Sequence, residues 1–509
     1  MPCTTILVGR KASYDGSTII ARNDDSGAGY FTPKKFTVVL PEKQPRHYRS
    51  VLSHVEVELP DHPMRYTATP NAIPGKGIWA AAGVNEANVA MTATETITSN
   101  ERILGADPLV KYQPARGEEG SPDFQPEIPG GIGEEDLVVL TLPYIHSARE
   151  GVARLGLLHE TYGTYESNGI AIADVDEIWW FETVGGHHWI ARRVPDDSYV
   201  TMPNQLGIDA FDLKDALGKQ KNFMCSADME SFLEENHLDL SLDGRLNARD
   251  TFGSHSDADH CYNTPRAWYM QRFLNPRTCR WDGPDADFTP ESDNIPWCRV
   301  PERKITVEDV KYILSSYYQG TPYNPYAKYG NPDMRGAYRF IGVNRNDFLG
   351  IFQLRPYAPK KLCAVEWIAF ASNPFNVLIP QYTNIERTPD YLANTTGRVS
   401  TDNFYWASRL IGALADAHYG KCIQQIERYQ EAAGARAHEL IARFDREYKD
   451  AKKQAEENGD AVKASELRFA ERANDAFADA ARTETDAALR EILLIAANNM
   501  QNQYARNDH

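Results

Sequence analysis

Apolar and polar positions alternate from the start of the chain: Thr5, Leu7 and Gly9 fall on one side of a two-residue period, and Ile6, Val8 and Arg10 on the other. A polar stretch at residues 13–16 turns the chain and an apolar run at 18–21 returns. This predicts a β-hairpin that brings residues 23–26 opposite the amino terminus. More strand-type sequence occupies residues 78–98. From Glu134, and clearly through 147–159, the period lengthens and predicts helices. Short β-rich runs return at 169–174, 177–183, 188–193 and 199–202, separated by tight turns, as in an antiparallel meander. Strands, then helices, then strands predict an α+β architecture of antiparallel sheets covered by helices.

The last hundred or so residues differ in kind. Phe404, Ala407, Ile411 and Leu414, then Ile426, Tyr429, Leu440, Ile441, Phe444 and Tyr448, recur at helical spacing until Asn458, Gly459 and Asp460 interrupt the pattern. The expectation is a long, highly charged α-hairpin. It would serve as a structural arm or as a contact between copies of the chain rather than in chemistry. Residues 1–400 then form the main domain, and 401–509 a helical arm packed on it.

Composition narrows the classes of function. Hydrophobic residues make up 42% and charged residues 25%, and no apolar run approaches the roughly 20 residues that span a bilayer, so a soluble protein is expected with no membrane partner. Arg10 and Lys11 fall where a secretion signal needs its apolar centre. The seven cysteines are odd in number and contain no C-x-x-C pair, which fits neither a disulfide framework nor a zinc ribbon and predicts a reducing, cytoplasmic setting. A net charge of −17 with no basic stripe argues against nucleic acid as a partner.

The candidate chemistry lies at the amino terminus. If Met1 and Pro2 are removed, Cys3 carries a thiol and a free α-amine together, and the amine's ordinary pKa of about 7.7–8.0 suits it to take and return a proton. No recognisable Cys/His pattern offers another base. The hairpin places Arg22 to lower the thiol pKa and Asp25 to hold the amino group. Residues 22 and 25 point to opposite faces of a regular strand, so both roles require a bulge or twist after Arg22. The adjacent His187 and His188 are expected to face opposite ways, which disfavours a shared metal. Residues 255–260 carry metal-ligand residue types without a metal-site spacing and read as a polar loop, and 116–131 reads as a surface excursion. H-E-x-x-H, G-x-S-x-G and P-loop motifs are absent.

The segments C-T-T-I-L-V-G at 3–9, A-R-N-D-D at 21–25, G-V-N-E-A-N-V-A-M-T-A-T-E at 83–95, M-P-N at 202–204, N-T-P-R-A-W at 263–268 and T-D-N-F-Y-W-A-S-R-L-I-G-A-L-A-D at 401–416 together resemble the dipeptidase A family. Members are N-terminal-nucleophile cysteine hydrolases related to penicillin V acylases and bile salt hydrolases. The resemblance implies a four-layer αββα sandwich extended by the helical arm and hydrolysis of dipeptides without metal or organic cofactor; for Met1 and Pro2, autoprocessing at the bond next to Cys3 is the simplest route of removal and cellular aminopeptidases are the alternative. It assigns Cys3 as nucleophile, Arg22 as the arginine behind it, Asp25 as the contact to the amine, Asn204 as an oxyanion donor and Arg266 as a second active-site arginine. Glu95 stands where related acylases often carry asparagine, and a carboxylate there suits the charged amino end of a dipeptide better than an apolar acyl group. Two residues precede Cys3 instead of the initiator methionine alone. The alternatives are a linear amidase of the penicillin V acylase or bile salt hydrolase type, and a non-catalytic scaffold. A homo-oligomer is expected.

Overall fold

In a computed structural model that describes residues 3–93, 95–458 and 463–500, the opening hairpin forms with Thr4 opposite Asn23 and Val8 opposite Ile19. Met1 and Pro2 lie outside the described residues, as do Gly459 and Asp460 at the break expected in the helical arm. The second strand runs Thr18–Asp25, four residues past the apolar run that predicted it, and all eight of its residues are buried. Charged residues extend it because each finds a buried partner, so polarity at 22–25 does not mark the strand end.

This hairpin lies within a seven-stranded sheet ordered Cys298–Arg299, Tyr199–Met202, Thr4–Val8, Thr18–Asp25, Asn346–Leu354, Ala364–Phe370 and Ile379–Tyr382. Every pairing is antiparallel. A second seven-stranded sheet follows the order Phe223–Cys225, His188–Arg193, Ile178–Val184, Asn168–Ala173, Ala90–Thr92 and Ala82–Val84, with Glu95–Thr96 also paired to Asn168–Ala173. The meander expected over 169–202 splits between the sheets. Its first runs pair with one another, whereas Tyr199–Met202 crosses to pair with Thr4–Val8.

Thr18–Asp25 lies against Ala90–Thr92 and Asn168–Ala173 of the other sheet, so one face of the strand carrying Arg22 is covered by that sheet. The helix Ala148–Tyr162 packs on Asn168–Ala173, Ile178–Val184 and His188–Arg193. Val307–Leu314, capped by a reciprocal Thr306–Asp309 box, packs on the opening hairpin and Asn346–Leu354. Strands covered on both faces lose the alternation that an open sheet would show.

The expected arm consists of Phe404–Ala417, Tyr419–Asn458 and Lys463–Ala497. One face is apolar and buried: Ile426, Tyr429, Leu440, Phe444 and Tyr448 join the same core cluster as Ile6, Ile20 and Phe352. Asn474, fully buried, clamps the edge strand by accepting from the Tyr382 N–H at 2.8 Å and donating to its carbonyl at 2.9 Å. Arg355 and Asp445 add an ion pair at 2.7 Å.

Glu366 sits in the interior of the strand Ala364–Phe370 with its Oε2 accepting from the Thr67 hydroxyl at 2.8 Å. Burial pushes its carboxyl up to about 8, and only Thr67 opposes the shift. Its cross-strand partner is Gln381, whose Oε1 has no donor among the described residues. Because the folded state holds this proton and the unfolded state releases it, the stability Glu366 contributes is complete below the ordinary carboxyl range and is lost as pH rises to about 8. Glu366→Gln, which keeps the shape without the titration, is expected to exceed the wild type in stability by on the order of 1–3 kcal/mol at pH 8, with little difference at pH 4. Urea denaturation at the two pH values measures this.

Candidate active site

Register sets the first contact. With Thr4 opposite Asn23, the next residue back is Cys3 beside Asp24, and the Cys3 Sγ lies 4.0 Å from Asp24 Oδ1. Arg22 and Asp24 are two residues apart on one strand and so share a face. The Arg22 Nη2 reaches the Cys3 Sγ at 2.8 Å, Asp24 Oδ1 at 3.1 Å and Glu134 Oε1 at 3.0 Å, while Nη1 donates to the Ala81 carbonyl at 2.9 Å. The side chains of Arg22, Asp24 and Glu134 are essentially inaccessible to water. Burial opposes the Arg22 cation, but Cys3, Asp24 and Glu134 outweigh it and hold the guanidinium well above its ordinary range. Burial would likewise raise Asp24, but Lys34, 2.8 Å from its Oδ2, and then Arg22 hold it below the usual carboxylate range.

Cys3, Asp24 and Glu134 also form the one set of metal-ligand residue types that converges among the described residues, with candidate ligand atoms within 4.8 Å of one another. The Arg22 Nη2 stands within 3.1 Å of an atom of each. A positive group therefore already occupies their shared neighbourhood.

A second arginine closes the other side. Arg266, fully buried on the helix Thr264–Leu274, directs Nε to the Tyr262 carbonyl at 2.8 Å, Nη1 to the Cys3 carbonyl and to the Thr4 hydroxyl at 2.7 Å, and Nη2 to Asn204 Oδ1 and Asn263 Oδ1, each at 2.7 Å. These contacts employ all the donors a guanidinium has. Fixing the Asn204 oxygen also fixes its amide nitrogen, which donates to the Thr96 carbonyl at 2.9 Å. Residues 255–260 are not the polar loop expected: a helix forms over Asp257–Tyr262, with Ser256 and Asp259 as its capping box, and leads into the helix bearing Arg266.

Asp25 ends the second strand, where Arg339 Nη2 and Asn346 Nδ2 both donate to its carboxylate. Arg339 Nη1 also lies 3.4 Å from the Thr4 hydroxyl, next to Arg266. The irregularity expected after Arg22 lies on the neighbouring strand instead: Asn346 pairs with Asp25 and Phe348 with Asp24, so Asp347 is the extra residue. Asp347 accepts from Tyr405 and Arg409 of the arm at 2.8 Å each, and Arg409 also donates to the Asn346 carbonyl at 2.7 Å. The arm thus supports the strand end that holds Asp25.

Glu95 lies on a short strand opposite Gly169, next to Thr96 whose carbonyl receives Asn204, but its side chain lies outside the described residues. The expectation for His187 and His188 is corrected. His187 belongs to the turn before the strand, and both rings reach one carboxylate, with Nδ1 of His187 at 3.0 Å and of His188 at 2.7 Å from Asp107.

The Peptidase family C69 model matches residues 2–432. The chain belongs to this family. A protein named dipeptidase from Bifidobacterium longum (strain NCC 2705) is 61% identical over 87% of this chain and 83% of its own. A probable dipeptidase A from Streptococcus pyogenes serotype M3 is 50% identical over the full length of both chains, and the dipeptidase A of Lactobacillus helveticus is 43% identical over 88% of this chain and 89% of its own. This member of family C69 is therefore a peptidase whose described residues gather Cys3, Arg22, Asn204 and Arg266 around one spot, with Asp25 at its edge.

Sequence reasoning passed over Asp24, Lys34, Glu134, Arg339 and Asn346. Asp24 was accessible from the two-residue period that links it to Arg22. Glu134 opens an acidic triplet in a run of glycine and apolar residues, an unusual place for charge. Its neighbours are spent on anchoring: Glu135 accepts from the Leu52 N–H at 2.9 Å and Asp136 from the Tyr48 hydroxyl at 2.6 Å. Arg339 and Asn346 carry no such local signal.

Arg266→Lys is expected to fold but to lower kcat/KM by about a hundredfold or more, since three donors on one nitrogen cannot replace a planar fork spanning Cys3, Thr4, Asn204 and Asn263. Steady-state kinetics beside circular dichroism checks this.

Proposed function

We propose that this C69 peptidase hydrolyses dipeptides through Cys3 acting as an amino-terminal nucleophile, once Met1 and Pro2 have been removed autocatalytically. The observation that carries the reading is the contact of Arg22 with the Cys3 sulfur at 2.8 Å, in a chain whose relatives are named dipeptidases. A buried cation at that distance favours the thiolate, and Lys34 compensates the charge of Asp24, which would oppose it.

The Cys3 α-amine takes the thiol proton, and the sulfur attacks the peptide carbonyl carbon. Negative charge develops on the carbonyl oxygen, where Asn204 Nδ2 donates, oriented by the hold of Arg266 on its oxygen. The α-ammonium returns the proton to the departing amino acid, leaving a thioester. Water, deprotonated by the same amine, releases the acyl product and the thiol. Asp25, braced by Arg339 and Asn346, keeps the amine in place. No step calls for metal or organic cofactor.

Acidic groups around the sulfur support a dipeptide over an apolar acyl amide. Arg22 and Lys34 already balance Asp24 and Glu134, and Glu166, whose Oε1 accepts the Glu134 N–H at 2.8 Å, adds a further carboxyl group beside them. Glu95 joins them in this reading as a partner for the substrate's ammonium. The helices packed on the two sheets support the αββα sandwich, with 1–400 as the catalytic domain and 401–509 as the arm. Cys225, Cys261, Cys279, Cys298, Cys363 and Cys422 are free, as a reducing cytoplasm would keep them, which supports a cytoplasmic enzyme; among the described residues no helix is long and apolar enough to cross a membrane. Exposed Leu493 and Leu494 on the arm support a homo-oligomer, and the net charge of −17 argues against nucleic acid as a partner.

Cys3→Ala and Cys3→Ser are expected to remain folded, to lose dipeptide hydrolysis, and to retain Pro2, whereas active wild type begins at Cys3. Intact mass and a dipeptide assay decide this. Full activity in a homogeneous preparation still carrying Met1 and Pro2 would refute the mechanism. Faster cleavage of phenoxyacetyl or bile-acid amides would favour an amidase, and EDTA should leave the rate unchanged. Glu95→Gln is expected to weaken cleavage of dipeptides with a free amino end by about tenfold or more while sparing blocked analogues, because only the former lose a charge partner.

A further inference from the structure

Glu182 is a charge-bearing side chain in the interior that the mechanism above leaves unused. It lies on Ile178–Val184 of the second sheet and is fully buried. Its Oε1 accepts from the Trp180 indole N–H at 2.8 Å, from the backbone N–H of Gly207 at 2.7 Å and from that of Ile208 at 3.3 Å, while its Oε2 has no partner among the described residues. Gly207 and Ile208 lie on the segment that leaves Tyr199–Met202 of the first sheet and bears Asn204. A buried carboxylate of one sheet therefore grips the backbone that carries the proposed oxyanion donor on the other.

The local sequence is built around this grip. Gly169 is directly opposite Glu182 in the ladder, and a Cβ there would stand 2.4 Å from the Trp180 ring. The absence of a side chain at 169 lets the indole fold across the ladder toward Glu182. On the receiving side, Gly207 packs directly against the Met202 side chain at the strand end, its Cβ position standing 2.4 Å from the thioether. Arg249 holds the same peptide from behind, donating to the Gly207 carbonyl at 2.8 Å. The turn is thus fixed on both edges within a few residues of Asn204. Burial pushes the Glu182 carboxyl up to about 7 against the pull of these donors. A core filler of that size would avoid such a burden by being apolar.

We propose that Glu182 is a positioning residue for Asn204, acting through the Gly207 and Ile208 amides to set where the Asn204 amide stands relative to Cys3. This rests on the assignment of Asn204 as oxyanion donor. Because the oxyanion exists only in the transition state, displacement of the turn lowers kcat and leaves KM nearly unchanged.

The test compares Glu182→Leu, Glu182→Asp, Glu182→Gln, Asn204→Ala and the Glu182→Leu/Asn204→Ala pair with the processed wild-type enzyme on one dipeptide. Leu removes the acceptor, Asp withdraws it by one methylene, and Gln keeps an oxygen in place. Asn204→Ala is expected to lower kcat by about a hundredfold or more. Glu182→Leu and Glu182→Asp are expected to lower it by about tenfold or more with KM within about twofold, and Glu182→Gln to retain kcat within about threefold. The pair should resemble Asn204→Ala within about threefold, since the tie has no purpose once the amide is gone. The Asp and Gln variants decide the matter if Leu does not fold. Loss in Asn204→Ala together with full kcat in Glu182→Asp, equal losses in Gln and Asp, or additive losses in the pair would overturn the role of Glu182 alone. Unchanged kcat in Asn204→Ala would overturn the oxyanion assignment and this role with it.

Discussion

A guanidinium enclosed between two sheets must find acceptors for its protons or it cannot stay charged there, and Arg22 meets that demand by drawing separate parts of the chain to one point. Its donors reach Cys3 at the start of the first strand, Asp24 two residues along its own strand, the carbonyl of Ala81 and Glu134. Removing any one acceptor would leave a buried charge undercompensated. The requirement that makes Arg22 expensive to bury is therefore the one that assembles the nucleophile's surroundings.

Arg266 applies the same logic to the opposite wall. All its donors are engaged, and they join the backbone of Cys3 to the amide of Asn204, residues on different strands of one sheet and the turn beyond it. Planarity matters as much as charge here, because the fork fixes the orientation of what it binds. The arm contributes in a similar way. Arg409 and Tyr405 converge on Asp347, the residue bulged out of the strand next to Asp25, so a helix more than fifty residues along the chain steadies the edge of the site. The charged hairpin expected as a structural arm packed on the main domain turns some of its charged groups inward as ties of this kind.

Much of the architecture was legible. Period-two alternation marked the opening hairpin and the meander, helical spacing marked the arm, and the pairing of Thr4 with Asn23 falls within the stretch that simple hairpin geometry brought opposite the amino terminus. The errors share one cause. The apolar run that predicts the second strand stops at Ala21 whereas the strand continues to Asp25, and the bulge required after Arg22 lies on the neighbouring strand. His187 and His188 were assigned to opposite faces when a turn directs both to Asp107. In each case polarity or regularity was judged locally, whereas a partner distant in sequence decided the outcome.

What the sequence by itself determined is the list of parts and their local direction: a cysteine two residues from the start, a hairpin that returns arginine and aspartate to it, and motifs that resemble one family. These follow from covalent neighbours and short-range periodicity, which a linear chain expresses directly. Only the tertiary structure decided that Glu134 shares the Arg22 cation with Cys3 and Asp24, that Arg339 and Asn346 hold Asp25, and that Glu182 on one sheet grips the turn bearing Asn204 on the other. Those pairings are fixed by the need to satisfy buried charges and backbone amides where two sheets close on each other, and the partners of Arg22 at Glu134 and of Asp25 at Arg339 stand more than a hundred positions away, beyond the reach of local periodicity.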